Sequence, residues 1–295
     1  MNFSYLLFFH HPITSMAFLA LMMTCISLWI HKRLWIFASF LAVALIFAAI
    51  SKLIDLKVLI VLVILGVTHF CLSTSIKNWA RLIPIVIAMI LSFALLFHLV
   101  PGFDNWNLTG KIRISPHAFF YTLYLNFDKP FIGLLPLAFS IPLIQSRFHI
   151  RQIAIPTCVL TALGMVILLL STLYLHVANI DFKVPAISLI WLINNFFLVV
   201  IPEEAFFRGF LQRELREYIQ TKWAPFFAIF AVSLLFAVSH FAFIQDIRFI
   251  VLIFIGGLIY GTVYEVTQAI ESAILCHFLV NVSHFFCFTY PALIP

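Results

Sequence analysis

No glutamate occurs in the first 202 residues of this 295-residue chain, and all six stand from position 203 onward. Charge of either sign is scarce: Asp, Glu, Lys and Arg make up 9% of the residues, against 64% hydrophobic. Soluble domains carry about a quarter of their residues charged, so this balance excludes a water-soluble globule and predicts a polytopic membrane protein. Cysteine is limited to five residues, an odd number with no CxxC spacing, all in or beside apolar segments. They read as small packing residues rather than disulfides or metal ligands. The net charge of +6 does not point to nucleic acid, because the basic residues are scattered in ones and twos instead of striped along a face. No repeat is apparent. A cleavable leader is not expected either, since the first residues lack a basic stretch and the first apolar run continues to span length.

Spans need about 20 apolar residues each. On that basis the sequence predicts an all-α, polytopic transmembrane helical bundle of about 8–10 spans. They fall near 13–30, 34–50, 58–76, 82–100, 131–145, 153–178, 186–217, 223–244, 249–265 and 269–290. The segment at 131–145 is short enough to re-enter rather than cross. The longest connection, 101–130, reads as an interfacial loop or short amphipathic element. Lys and Arg, including Lys32, Lys77 and Arg81, lie in slight excess in alternate connections, which places the Arg213–Lys222 hairpin in the cytoplasm and both termini outside. Polarity divides the chain into an N-terminal transmembrane region, 1–185, with few buried ionisable groups, and a region at 186–295 that carries the candidate chemistry.

That chemistry centres on LVVIPEEAFFRGF, where Glu203 and Glu204 stand side by side in an apolar run. A carboxylate at bilayer depth costs at least ~2.5–3.5 kcal/mol, so such a pair marks a functional site by default. Residues four apart share a helix face, which couples Glu204 with Arg208, Phe236 with His240 and His277 with Asn281. For Arg208 two readings stand: a partner for Glu204 or a cytoplasmic-side anchor. A turn near Gln220–Lys222 leaves Glu203 and His240 each about 27 Å from it along antiparallel helices, so packing of that hairpin would bring them to one depth. No Ser or Cys nucleophile is positioned, which favours direct attack by water. Glu203 would take the proton with His240 holding the water, while His277 and Asn281 donate to an oxyanion.

These residues resemble the CPBP intramembrane proteases, also called the Abi or CAAX-protease and bacteriocin-processing family, which includes the Ras-converting prenyl-protein endopeptidases. The family's EExxxR stands here as Glu203-Glu204-Ala-Phe-Phe-Arg208, its FxxxH as Phe236 to His240 and its HxxxN as His277 to Asn281. Gly257, Gly261, Tyr264 and Thr267 also resemble the approach to the last catalytic helix. One departure is Gln268-Ala269, where relatives often carry Gly-Ser. The resemblance implies an all-helical membrane fold, a glutamate-type endopeptidase with Glu203, Glu204, Arg208, His240, His277 and Asn281 as site residues, and for some members prenylated CaaX substrates. It implies no required cofactor or metal, although His and Glu are zinc-ligand types.

Other intramembrane protease classes do not fit: HExxH is absent, no GxSxG elbow occurs, and all five aspartates fall in predicted loops. Partners are then the lipid bilayer and a membrane-associated protein or peptide, with no nucleic acid, and the location a plasma membrane, of bacterial type. Two other functions remain open, a non-proteolytic scaffold or bacteriocin-immunity protein and a proton-coupled transporter. His69, His98, His284, Asn194 and Asn195 read as interhelical hydrogen-bonding groups. Glu214 and Glu217 read as a solvated helix end, and Glu265 and Glu271 as interfacial.

Overall fold

In lipid an apolar run can satisfy its backbone N–H and C=O groups only internally, so it closes into a helix. The computed structural model describes residues 10–30, 33–74, 78–144, 146–242 and 246–294; Lys32 and Lys77 lie outside them. The protein is 72% helical with almost no strand, the all-α polytopic fold that the hydropathy predicts. In chain order the helices are α1 (Pro12–Ile30), α2 (Leu34–Ile50), α3 (Val58–Ser73), α4 (Leu82–Leu96), α5 (Phe131–Phe139), α6 (Arg147–Leu175), α7 (Ser188–Tyr218), α8 (Ala224–Ser239), α9 (Ile247–Thr267) and α10 (Ile270–Cys287). Among the described residues, six of these segments (α1, α6, α7, α9, α10 and α8 with its extension to Ala242) are long and apolar enough to cross a membrane, and α2, α3 and α4 are shorter apolar helices. At nine residues, α5 is too short to span, as its apolar run already implied.

The chain forms two compact units, the first from residues 1–109, 123–142 and 189–206 and the second from 110–122, 143–188 and 207–295. In the first, α1 packs on α2 and α3 on α4, while α5 lies against α1, α3, α4 and the Ile201–Glu204 turn of α7. That last approach is backbone against backbone. A Cβ added at Gly133 would lie 2.4 Å from Pro202 Cα, so only glycine permits it. The connection 101–130, expected as an interfacial loop or short amphipathic element, is a loop that carries a short two-stranded antiparallel ladder, Trp106 opposite Leu125 and Asn107 opposite Tyr124. His98 is a correction. Instead of lying within a span it follows the end of α4 in the left-handed region, φ +57°.

In the second unit α9 is the central rod, packed on α6, α8 and α10. Glycines set the approach: a Cβ at Gly164 would meet Ile259 Cγ2 at 2.4 Å, and one at Gly257 would meet Ser233 Cβ at 3.0 Å. Ser146 caps α6 by accepting from His149 N at 3.1 Å, and Asp246 caps α9 by accepting from Arg248 N at 2.9 Å. Helix α9 stops at Gln268 in the left-handed region, φ +50°, a conformation that a glycine adopts without the strain a side chain brings.

The helix carrying the paired glutamates is not regular. Residues Asn195–Val200 and Ala205–Gln212 are π-helical and flank the α-helical turn Ile201–Glu204. Pro202 has no N–H and its ring crowds the carbonyl of Leu198, which a widened upstream turn relieves. Such wide turns recur at functional sites.

Candidate active site

Within the first unit, Glu203 and Glu204 are buried at 3% and 0% exposure. An ionised carboxylate there requires a countercharge, and the structure supplies one from far along the chain. Lys129 Nζ donates to Glu203 Oε1 at 2.5 Å, with 14% and 4% of the two side chains exposed. Lys129 immediately precedes Pro130 and α5, and the Gly133–Pro202 contact fixes the distance between the two chain segments. Lys129 lies at the end of the 101–130 connection, which the sequence does not mark as part of the site. The signal available was its position at the mouth of a short apolar helix, but nothing local ties it to Glu203.

In the second unit, Arg208 is fully buried, which corrects the reading of it as an interfacial anchor. Its guanidinium lies 4.6 Å from the Phe236 ring centroid and 5.4 Å from that of Tyr260, and Nη2 donates to the Gly257 carbonyl at 3.2 Å. Four residues on, Gln212 Nε2 donates to the Gly261 carbonyl at 3.0 Å. Two donors four apart on α7 thus bond the carbonyls of two glycines four apart on α9, where missing side chains leave the backbone accessible.

Phe236 and Tyr260 also hold the imidazoles. Tyr260 stacks on His277 with centroids 4.4 Å apart and planes 13° from parallel, and Phe236 meets His277 edge-on at 5.9 Å. Phe236 packs against His240 at 4.7 Å, and its carbonyl lies 2.7 Å from His240 Nδ1. A carbonyl only accepts, so Nδ1 carries the proton, and a neutral His240 is basic at Nε2. The first residue of FxxxH is therefore the hub of the cluster. Asn281 stands one turn beyond His277 on α10 and is half-buried. The structure thus gathers Arg208, His240 and His277 around Phe236 and Tyr260, and Glu203 with Lys129. Tyr260, Gln212 and Lys129 were not singled out as site residues from the sequence; the clue for Tyr260 and Gln212 was the glycine spacing of IGGLIYG, which demands close neighbours.

Other polar groups fall outside these clusters. Glu214, expected to be solvated, is 5% exposed and lies 3.4 Å from Arg213. Glu271 Oε1 accepts from Ile144 N at 2.8 Å, and Arg216 pairs with Glu265 at 2.8 Å. Buried His69 bonds Ser140 Oγ at 3.3 Å, an interhelical contact of the kind expected. The five cysteines are free. Among the described residues no group of three or more His, Cys, Asp or Glu side chains is gathered to hold a metal ion.

Fold and site together define a polytopic α-helical membrane protein with buried carboxylate, guanidinium and imidazole groups on its last helices. Residues 185–283, about a third of the chain, match the family model described as Type II CAAX prenyl endopeptidase Rce1-like. No curated protein and no solved structure matches the chain.

Proposed function

We propose that this protein is an intramembrane endopeptidase that hydrolyses a peptide bond of a membrane-associated protein or peptide with water activated by glutamate and histidine. The observation that carries the reading is that EExxxR, FxxxH and HxxxN all lie inside the matched stretch 185–283. Residues 186–295 act as the catalytic region. Glu203 takes a proton from water, the hydroxide adds to the peptide carbonyl, and His277 and Asn281 donate to the resulting oxyanion. Glu203 then returns the proton to the departing nitrogen, the C–N bond breaks, and a carboxylic acid and an amine leave. His240 orients the water through Nε2, and Glu204 and Arg208 complete the charge balance. No covalent intermediate or metal is needed. The location is a plasma membrane of bacterial type.

The family name brings the prenylated CaaX class forward. Protein purified into nanodiscs is offered two peptides that differ only in a farnesyl group. Cleavage of the farnesylated peptide, lost in Glu203→Ala, supports a prenyl endopeptidase; equal cleavage of both supports a broader one. If folded wild type cleaves neither, the prenylated class is removed. A second reading has an observation of its own. Glu203 is already engaged by Lys129, as it would be in a non-proteolytic scaffold that uses the ion pair to lock α5 against α7.

A further inference from the structure

We propose that Lys129 is a positioning residue for Glu203, held in place by a rigid polar brace, and that it sets the orientation and charge state in which Glu203 works. The inference rests on the protease reading above. Lys129 does not reach Glu203 from a loose loop. The preceding residue, Asp128, is 1% exposed; its Oδ1 accepts from the Lys129 backbone N–H at 2.8 Å and its Oδ2 lies 2.7 Å from His98 Nδ1. Asn105 Nδ2 donates to the same Oδ2 at 3.3 Å, while Asn105 Oδ1 accepts from Phe127 N at 2.9 Å. Backbone on both sides of Asp128 is thus fixed before the lysine side chain begins.

From there Pro130 opens α5, and the Gly133–Pro202 contact registers α5 against the turn bearing Glu203. The ammonium meets one carboxylate oxygen, Oε1, and so sets which oxygen of the carboxyl faces the lysine. A point charge on a flexible stem would be a poor orienting group alone, but a stem anchored at its backbone is a good one. This accounts for features the motifs do not explain: the left-handed His98, buried Asp128 in a loop, and a lysine at the mouth of a helix too short to span.

The test compares wild type, Glu203→Ala, Lys129→Met and Lys129→Arg in cells at matched membrane levels, reading by mass spectrometry the protein termini that depend on Glu203. Lys129→Met is expected to lower cleavage at those termini by about 10- to 100-fold, part of what a general base contributes. Lys129→Arg, which keeps the cation, is expected to recover cleavage to within roughly threefold of wild type on the same scale. Cleavage unchanged in Lys129→Met, or equally lost in both lysine variants, overturns the positioning role and leaves the protease reading standing. Termini unchanged in Glu203→Ala overturn both. Melting midpoints in detergent guard against misfolding: Lys129→Met and Glu203→Gln are each expected to lower the midpoint, and the double variant to recover it. Additive losses would mean that the two side chains do not act as a pair.

Discussion

Single residues carry two kinds of information here, and only one was legible in the sequence. Four-residue intervals singled out the candidates Glu204, Arg208, His240, His277 and Asn281, and an apolar run singled out Glu203, because both patterns can be read from the chain itself. Lys129 was not legible, because its contact joins residues 74 apart. Arg208 shows what burial adds: its planar cation lies over Phe236 and Tyr260 and donates to a glycine carbonyl, a geometry that an ammonium does not reproduce. Arg208→Lys is therefore expected to destabilise the protein by about 1–2 kcal/mol, read from unfolding in detergent. The left-handed Gln268 gives the opposite sign. Gln268→Gly relieves about 1 kcal/mol of backbone strain and is expected to raise the melting midpoint; a fall would show that the Gln268 Nε2 bond to the Glu265 carbonyl at 2.7 Å outweighs it.

Helices were readable because lipid leaves apolar runs no alternative, but departures from regularity were not. The upstream π-helical turn of α7, Asn195–Val200, is explained by the Pro202 ring at the Leu198 carbonyl, and the 106–125 ladder arises from pairing across a connection with no apolar periodicity. Close packing of elements makes its own prediction. Gly133→Ala places a methyl 2.4 Å from Pro202 Cα, backbone that cannot swing aside, so α5 must shift from α7. The expected cost is about 1–3 kcal/mol, with loss of whatever activity the Lys129–Glu203 contact supports. The connection between α6 and α7 is expected to lose stability at low pH through Asp181. Ser115 beside Asp181, with Lys183 adding to it, holds that carboxyl below its ordinary value of 3.8. A depressed carboxyl contributes stability above the unfolded value and loses it as pH falls through the folded one. Hydrogen-exchange protection of residues 176–187 is thus expected to hold from neutral pH to about 4 and to drop only below that range.

At the scale of the whole molecule, the division at residue 185 read from polarity and the two compact units follow different logic. Polarity tracks where chemistry sits, whereas packing joins α5 to the first half of α7 and α6 to α9. Hydropathy cannot foresee that interleaving, because one apolar surface is as good as another until helices choose neighbours by shape. The proposed function rests on the stretch 185–283 that matches the Rce1-like family model and on the buried charges of Glu203, Glu204 and Arg208 within it. The most direct measurement compares protein termini across the membrane proteome in cells expressing wild type or Glu203→Ala at equal, verified membrane levels. The account predicts precursors that stay uncleaved only in the mutant, with their missing termini naming the substrate. Identical terminal profiles, with the mutant inserted and a wild-type phenotype still complemented, would contradict proteolysis and leave the scaffold.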